Sequence, residues 1–161
     1  MYPLKEEGST DQRGTKVTFL PDETIFTETT EYSFDILRQR LREMAFLTKG
    51  IKIILTDLRE EKERTETFHY EGGIKEYVQY LNKNKEPLYD DIIYCEGQKG
   101  DVYVEVAFQH NDSYNDSCFS FVNNITTPEG GTHLAGFKNA MTKTFNEYAR
   151  NQKLLKDNDA N

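Results

Sequence analysis

The sequence has no tryptophan, only two cysteines and only four prolines among its 161 residues. It also has no apolar run near the ~20 residues that a membrane-spanning helix needs. The residues after Met1 show no basic segment followed by an apolar one, which is the pattern of a secretion signal. We therefore expect a cytoplasmic chain without membrane contact, whose core depends on its ten phenylalanines and ten tyrosines.

Basic residues are also scarce relative to acidic ones. The chain has 20 lysines and arginines against 28 aspartates and glutamates, a formal net charge of −8. This balance disfavours a stand-alone nucleic-acid binder held by phosphate contacts. Any contact with DNA must come from a local basic surface.

The two cysteines, Cys95 and Cys118, fall in predicted strands. A chain of this length does not need a disulfide to stabilise its core. We therefore expect buried free thiols in a reducing compartment, with a disulfide as the alternative.

The most informative stretch is Ser120–Lys138, together with the helical pattern that continues to Arg150. Thr132 is predicted to cap the helix, since its hydroxyl can accept from the free amides of the first turn. Large apolar residues then recur at steps of three and four and share one face: Leu134, Phe137, Met141, Phe145 and Tyr148. We expect the sheet to pack on this face, which would make the helix the organiser of the core.

The rest of the chain mixes helices and strands without regular βαβ alternation, which favours one layered α+β domain over residues 1–161. The pattern predicts a helix from Ser33 to about Thr48, ended by Gly50, and a second helix that starts after two glycines and ends at Leu81. Predicted strands cover 15–21, 51–56, 67–71, 92–97, 102–110 and 118–125.

Several segments, in the same order, resemble the transducer region of the DNA gyrase B family, the ATPase subunits of bacterial type II topoisomerases. The resemblance covers nearly the whole chain. The matching segments are Gly14–Asp22, Leu37–Gly50, Phe68–Ile74, Tyr80–Lys85, Val104–Ala107, Asn111–Tyr114, Ser120–Lys138 and Tyr148–Arg150.

The resemblance implies a fold like domain 2 of ribosomal protein S5, with a mixed or antiparallel sheet packed against helices. It also implies that the chain relays ATP binding and hydrolysis to the DNA gate and lines the DNA-capture cavity during negative supercoiling. The family's N-terminal ATP-binding domain and its Gln-Thr-Lys loop are not found in the 161 residues. We therefore expect no catalytic or cofactor-binding residue here, and no hydrolysis by this segment alone.

Cofactors and partners follow from the same resemblance. The whole enzyme would use ATP and Mg²⁺, and would act on duplex DNA without sequence preference. It would form an A2B2 heterotetramer, which contains the A subunit of gyrase and a second copy of the B subunit.

Three basic residues are the candidates for facing DNA: Lys138, Lys143 and Arg150. The resemblance implies this role for Lys138, where the family usually has arginine; lysine keeps the charge but loses the bidentate fork toward phosphate. An ordinary solvated helix face is the alternative for all three. Arg38, Arg40 and Arg42 diverge around their helix, so we expect them to be surface residues or ion-pair partners.

Other site types find little support in the sequence. The three histidines and two cysteines lack the close spacing of zinc ligands, so we expect no metal site. His133 follows two glycines at a predicted helix start, where it could help to hold an anion, but a packing or capping role is favoured. Neither Gly-Gly pair belongs to a phosphate-binding loop, because the other residues of that motif are missing.

Three alternatives to the gyrase interpretation stay open. The first is the same region of the B subunit of topoisomerase IV, whose sequence differs little from that of gyrase here. The main task of that enzyme is decatenation. An S5-like nucleic-acid-binding module without enzymatic activity is disfavoured by the surplus of acid. A small-molecule kinase of the same fold is disfavoured by the missing glycine-rich loop.

Overall fold

The computed structural model describes residues 3–59, 62–115 and 117–155. The chain divides into two compact units, residues 1–34 and 35–161. In the first unit the chain turns at Asp22, whose carbonyl accepts from the amides of Ile25 and Phe26 at 3.0 and 2.9 Å. The predicted strand over 15–21 is wrong: these residues form no strand in the described part of the unit. Alternation alone does not make a strand without a neighbour to complete the hydrogen-bond ladder.

The fold class is α+β, as predicted. All paired strands are antiparallel, and in the described residues they form three separate two-stranded ladders. The elements in chain order are α1 (Phe34–Leu47), β1 (Lys52–Asp57), β2 (Arg64–His69), α2 (Gly73–Leu81), β3 (Ile93–Lys99), β4 (Val102–Phe108), β5 (Phe121–Val122), β6 (Ile125–Thr126) and α3 (Thr132–Asn151).

The predicted first helix and the two strands after it are confirmed, and the strands pair as a hairpin. The chain leaves α1 through Gly50, whose φ of +77° is the left-handed conformation that favours glycine. The strands β1 and β2 pair in register from Lys52 opposite His69 to Asp57 opposite Arg64. Residues 60 and 61, between the two strands, lie outside the described residues.

The second helix and the strands after it are also confirmed, with small shifts of their ends. Strands β3 and β4 pair up to Lys99 opposite Val102. Gly100 makes the turn between them with a φ of +60°. Helix α2 packs on β4.

The predicted single strand over 118–125 is wrong. The chain instead folds back on itself, so that β5 and β6 form a tight hairpin with Phe121 opposite Thr126 and Val122 opposite Ile125. Asn123 and Asn124 make the turn, with φ values of 50° and 64°. A two-residue turn with positive φ at both positions matches the twist of the flanking strands, and asparagine tolerates this conformation best after glycine.

The core of the second unit lies where α1 and β2 meet α2. Ala45, Phe46, Phe68 and Tyr77 are buried there, and Phe46 is only 1% exposed. The ring of Phe46 stacks on Tyr70 at 3.7 Å between centroids and on Tyr77 at 4.9 Å.

The prediction that α3 organises the core is therefore wrong. No residue of α3 is buried, and Phe145 and Tyr148 of its apolar stripe are 53% and 60% exposed. Phe137 does meet Phe108 of β4, edge to face at 6.5 Å. An amphipathic helix is buried only where another layer covers it, and the described elements reach just part of α3.

The cysteines also differ from their prediction. Cys95 and Cys118 are free, but both are exposed rather than buried. Cys95 lies in β3, opposite Val106 of β4. Within the described residues, no helix has the length and apolar character needed to cross a membrane.

Candidate nucleic-acid interface

The basic residues that sequence analysis selected lie on α3. Residues 132–155, which comprise α3 and the turn after it, carry four basic side chains, Lys138, Lys143, Arg150 and Lys153, and one acidic side chain, Glu147. The whole chain has the opposite balance, 20 basic against 28 acidic residues. Helix α3 is therefore a local basic element on an acidic chain, the arrangement that a phosphate-contacting surface requires.

Two glycines lead into α3. Gly130 has a φ of +73°, and Gly131, not the predicted Thr132, is the capping residue, without a side-chain hydrogen bond. The prediction for Thr132 is wrong because this residue is already in the first helical turn. His133 Nε2 lies 3.1 Å from the hydroxyl of Thr127, which favours the structural role predicted for this histidine. The start of α3 is thereby tied to the segment that follows β6.

The three candidates do not share one face. Lys143 and Arg150 are seven residues apart, close to two full turns, so they lie on the same side of α3. Lys138 lies about 140° around the helix from Lys143 and borders the apolar stripe. The structure brings together Lys143 and Arg150, and leaves Lys138 apart.

The surroundings of the three cations also differ. Lys138 is exposed, and no carboxylate among the described residues pairs with it. The ammonium of Lys143 lies 3.8 Å from Glu147 Oε1, one turn further along. Arg150 is half-buried in the last turn, where a positive charge interacts favourably with the helix dipole. Of the three, Lys138 is the best placed to meet a polyanion.

The arginines of α1 are ion-pair partners, as predicted. Arg42 donates to Glu66 Oε1 at 2.7 Å and to the hydroxyl of Tyr80 at 2.6 Å, and its guanidinium lies over the rings of Phe68 and Tyr80. Burial alone would lower the pKa of Arg42, but the hydrogen bonds to Glu66 and Tyr80 raise it overall. This cation is committed within the protein and is a poor candidate for contacting phosphate.

A groove of about 370 Å³ runs beside Arg42 between α1 and α2. Tyr77 lies in it, and burial, followed by the nearby carboxylate of Glu43, raises the pKa of Tyr77 to about 12. Two acidic and two basic side chains balance each other in its lining, which gives no preference for a charged ligand. The lining residues are Asp35, Ile36, Arg38, Gln39, Arg42, Glu43, Tyr77, Tyr80, Leu81 and Phe119.

A second polar cluster lies on the β3–β4 ladder, and sequence analysis missed it. The hydroxyl of Tyr94 lies 2.6 Å from Glu105 Oε1 and 2.5 Å from Glu96 Oε2, and Tyr103 donates to Glu96 at 2.7 Å. The hydrogen bonds to Glu105 and Glu96 raise the pKa of Tyr94 far above its ordinary value, because a phenolate there would face two carboxylates. Lys49, which follows α1, donates to Glu105 Oε1 at 3.2 Å.

Metal ligands are not grouped in the part of the chain that the structure describes: no three histidine, cysteine, aspartate or glutamate side chains are placed to share an ion. Among the described residues, the exposed lysines of α3 are the feature whose chemistry best fits an external binding surface.

Comparison with known proteins gives three consistent results. The family model for DNA gyrase B matches residues 73–161. The B subunit of DNA gyrase from Clostridium acetobutylicum is 56% identical over 160 residues, and the B subunit of DNA topoisomerase 4 from Staphylococcus epidermidis is 56% identical over 158 residues. The crystal structure of the 43K ATPase domain of Thermus thermophilus gyrase B, in complex with an aminocoumarin, superposes with a TM-score of 0.70 at 35% identity and covers 88% of this chain.

The chain spans only part of these proteins. The two alignments cover 99% and 98% of this chain but only 25% and 24% of the length of the relatives. The chain corresponds to 38% of the Thermus thermophilus chain.

Proposed function

Because the chain belongs to the DNA gyrase B family, we propose that it forms the transducer region of the B subunit of a bacterial type II topoisomerase. In this role it relays ATP binding and hydrolysis, which take place elsewhere in the protein, to the opening of the DNA gate. The observation that carries the proposal is the basic helix α3, which falls inside the family match although the chain as a whole is acidic.

The DNA-facing role belongs to α3 in this proposal, with Lys138 as the first contact. Its ammonium is exposed and has no carboxylate partner in the described residues, so a passing duplex would displace no existing ion pair. Lysine binds phosphate as a point charge without the bidentate geometry of arginine. A weak contact of this kind is independent of base sequence and lets the duplex move on. Lys143 and Arg150 would face a different side of the cavity.

The partners and cofactors of the proposed enzyme follow from its class. The full-length protein would bind ATP and Mg²⁺ through residues outside this chain. It would pair with a second copy of itself and with the A subunit of gyrase in an A2B2 heterotetramer in the bacterial cytoplasm. Its substrate would be duplex DNA.

Topoisomerase IV is the second candidate. The Staphylococcus epidermidis topoisomerase 4 protein matches this chain with the same 56% identity as the Clostridium acetobutylicum gyrase protein. We favour gyrase because the family model that matches residues 73–161 is that of DNA gyrase B.

The test gives the full-length parent protein, in complex with its partner subunit, three substrates: relaxed closed circular plasmid, supercoiled plasmid and catenated circles. Gyrase predicts negative supercoils that accumulate only with ATP. Relaxation and decatenation without supercoiling would assign the chain to topoisomerase IV. The absence of any ATP-dependent change in DNA topology, with tight RNA binding at physiological salt, would contradict both and favour the S5-like module.

A further inference from the structure

Two segments of the chain meet within the second unit, and we call their connection the joint. Residues 35–72 form α1 and the β1–β2 hairpin, and the residues from Gly73 onward form α2 and the β3–β4 ladder on which it packs. The backbone passes from one segment to the other at Gly72 and Gly73. Gly73 has a φ of +60°, a backbone conformation that residues with a side chain rarely adopt.

The side chain of Lys49 lies directly against this crossing point. A Cβ added at Gly73 would collide with Cε of Lys49 and would lie 2.8 Å from its Cγ. Glycine is therefore required at this position for two reasons, the positive φ and the space that the lysine stem occupies. The stem packs on the backbone at the place where the segments are connected.

The charged end of Lys49 reaches across to the second segment. Its ammonium donates to Glu105 Oε1 of β4 at 3.2 Å and lies 5.4 Å from the ring centroid of Tyr94 on β3. Glu105 is only 24% exposed, and the hydroxyl of Tyr94 holds the same oxygen at 2.6 Å. The carboxylate is thus fixed in position independently of the lysine, which lowers the entropy cost of the ion pair.

Neighbouring polar contacts join the same two segments. Asn124, in the turn between β5 and β6, donates to the hydroxyl of Thr48 at 3.1 Å, and Arg40 donates to the hydroxyl of Thr126 at 3.3 Å. The Phe46 ring supplies the apolar part of the joint through its stack on Tyr77. Lys49 differs from these residues because it contacts both the backbone at Gly73 and the β3–β4 ladder.

We propose that Lys49 is a positioning residue that sets the angle between residues 35–72 and the segment that begins at Gly73. Its stem restrains the backbone at Gly73, and its ammonium fixes β4 through Glu105. The inference rests on the proposed function in one respect. A transducer would pass a conformational change from one segment to the other by changing this angle. A two-sided contact of modest strength suits that task, because it can be broken and remade during each cycle.

The test compares three variants of the full-length parent protein, in complex with its partner subunit. Lys49→Met keeps most of the stem and removes the charge. Lys75→Met is the matched control: Lys75 also lies over the Tyr94 ring, at 5.8 Å, but belongs to α2, on the far side of the crossing. The paired reversal Lys49→Glu with Glu105→Lys restores the ion pair with opposite polarity. The first readout is the number of DNA strand passages per ATP hydrolysed, and the second is hydrogen exchange at the backbone of residues 70–77.

We expect Lys49→Met to lower the number of strand passages per ATP by about two- to fivefold, the range that the loss of a partly exposed ion pair allows. Exchange over residues 70–77 should rise by a similar factor, Lys75→Met should change neither quantity, and the paired reversal should recover part of both. Three results would overturn the positioning role. They are raised exchange in Lys49→Met without a change in strand passages per ATP, an unchanged exchange rate in this variant, and a paired reversal that recovers neither quantity. If the wild-type enzyme shows no ATP-dependent strand passage, the proposed function fails, whereas the exchange measurement still decides whether Lys49 controls the joint.

Discussion

Replacing Phe46 by alanine tests whether the core of the second unit lies where α1 meets α2. The side chain is 1% exposed, and its ring stacks on Tyr70 and Tyr77 and tilts toward Tyr80 at 5.5 Å. Phe46→Ala removes all three ring contacts and leaves a cavity that the surrounding rings can fill only in part.

The expected cost follows from the size of the lost group. Truncation of a buried phenylalanine to alanine lowers the free energy of unfolding by about 3–5 kcal/mol, and the lost ring stacking places this site in the upper half of that range. Met44, two residues earlier on the same helix, is 47% exposed. Met44→Ala should cost about 1 kcal/mol, because half of its surface already faces water.

Urea unfolding measures both variants. The signal is far-ultraviolet circular dichroism, since the chain has no tryptophan to report on the core. We expect the midpoint to fall several times further for Phe46→Ala than for Met44→Ala, with an unchanged slope. Equal midpoints for the two variants would refute the assignment of the core.

Two further predictions concern the hairpins. Asn124 has a φ of 64°, and both Asn124→Val and Asn124→Gly lose its hydrogen bond to Thr48. Only valine is strained at this φ, so Asn124→Val should lower the free energy of unfolding by about 1–3 kcal/mol more than Asn124→Gly. Equal urea midpoints for the two variants would argue against the tight turn. Hydrogen bonds from Tyr94 and, to a smaller extent, from Tyr103 lower the pKa of Glu96. The ionised carboxylate therefore stabilises the fold at pH values above the ordinary pKa of glutamate. This stabilisation is lost as the pH falls through the lower pKa of the native state. Tyr94→Phe should raise the pKa of Glu96 toward its ordinary value in a carboxyl NMR titration, and an unchanged pKa would count against this cluster.

Elements with a local signal could be predicted from the sequence. Helix α1 and the hairpin of β1 and β2 lie close to their predicted bounds, because apolar periodicity and a glycine such as Gly50 act over a few residues. The hairpin at Asn123 and Asn124 was missed because it interrupts a short apolar run that also fits a single strand. Asparagine in the left-handed conformation has no unique pattern in a sequence, and its recognition depends on the strands that it connects.

Features that depend on distant contacts could not be predicted. The apolar stripes of α1 and α3 are equally clear in the sequence, but only α1 is covered deeply enough to bury a residue such as Phe46. Which stripe is covered depends on how the layers pack and not on periodicity. Lys49 and Glu105 are 56 residues apart in the chain, so no local pattern predicts their contact.

The central claim is that α3 brings Lys138 to the DNA that a type II topoisomerase passes. It is tested most directly by measuring how much plasmid DNA stimulates ATP turnover by the full-length parent protein, in complex with its partner subunit. The measurement compares the wild type with Lys138→Glu and with Lys52→Glu, which makes the same charge change at an exposed residue of β1. The account predicts that Lys138→Glu sharply lowers both the DNA stimulation and the supercoiling, and that Lys52→Glu leaves both near the wild-type values. Equal stimulation in all three proteins would contradict it and would make Lys138 an ordinary surface lysine.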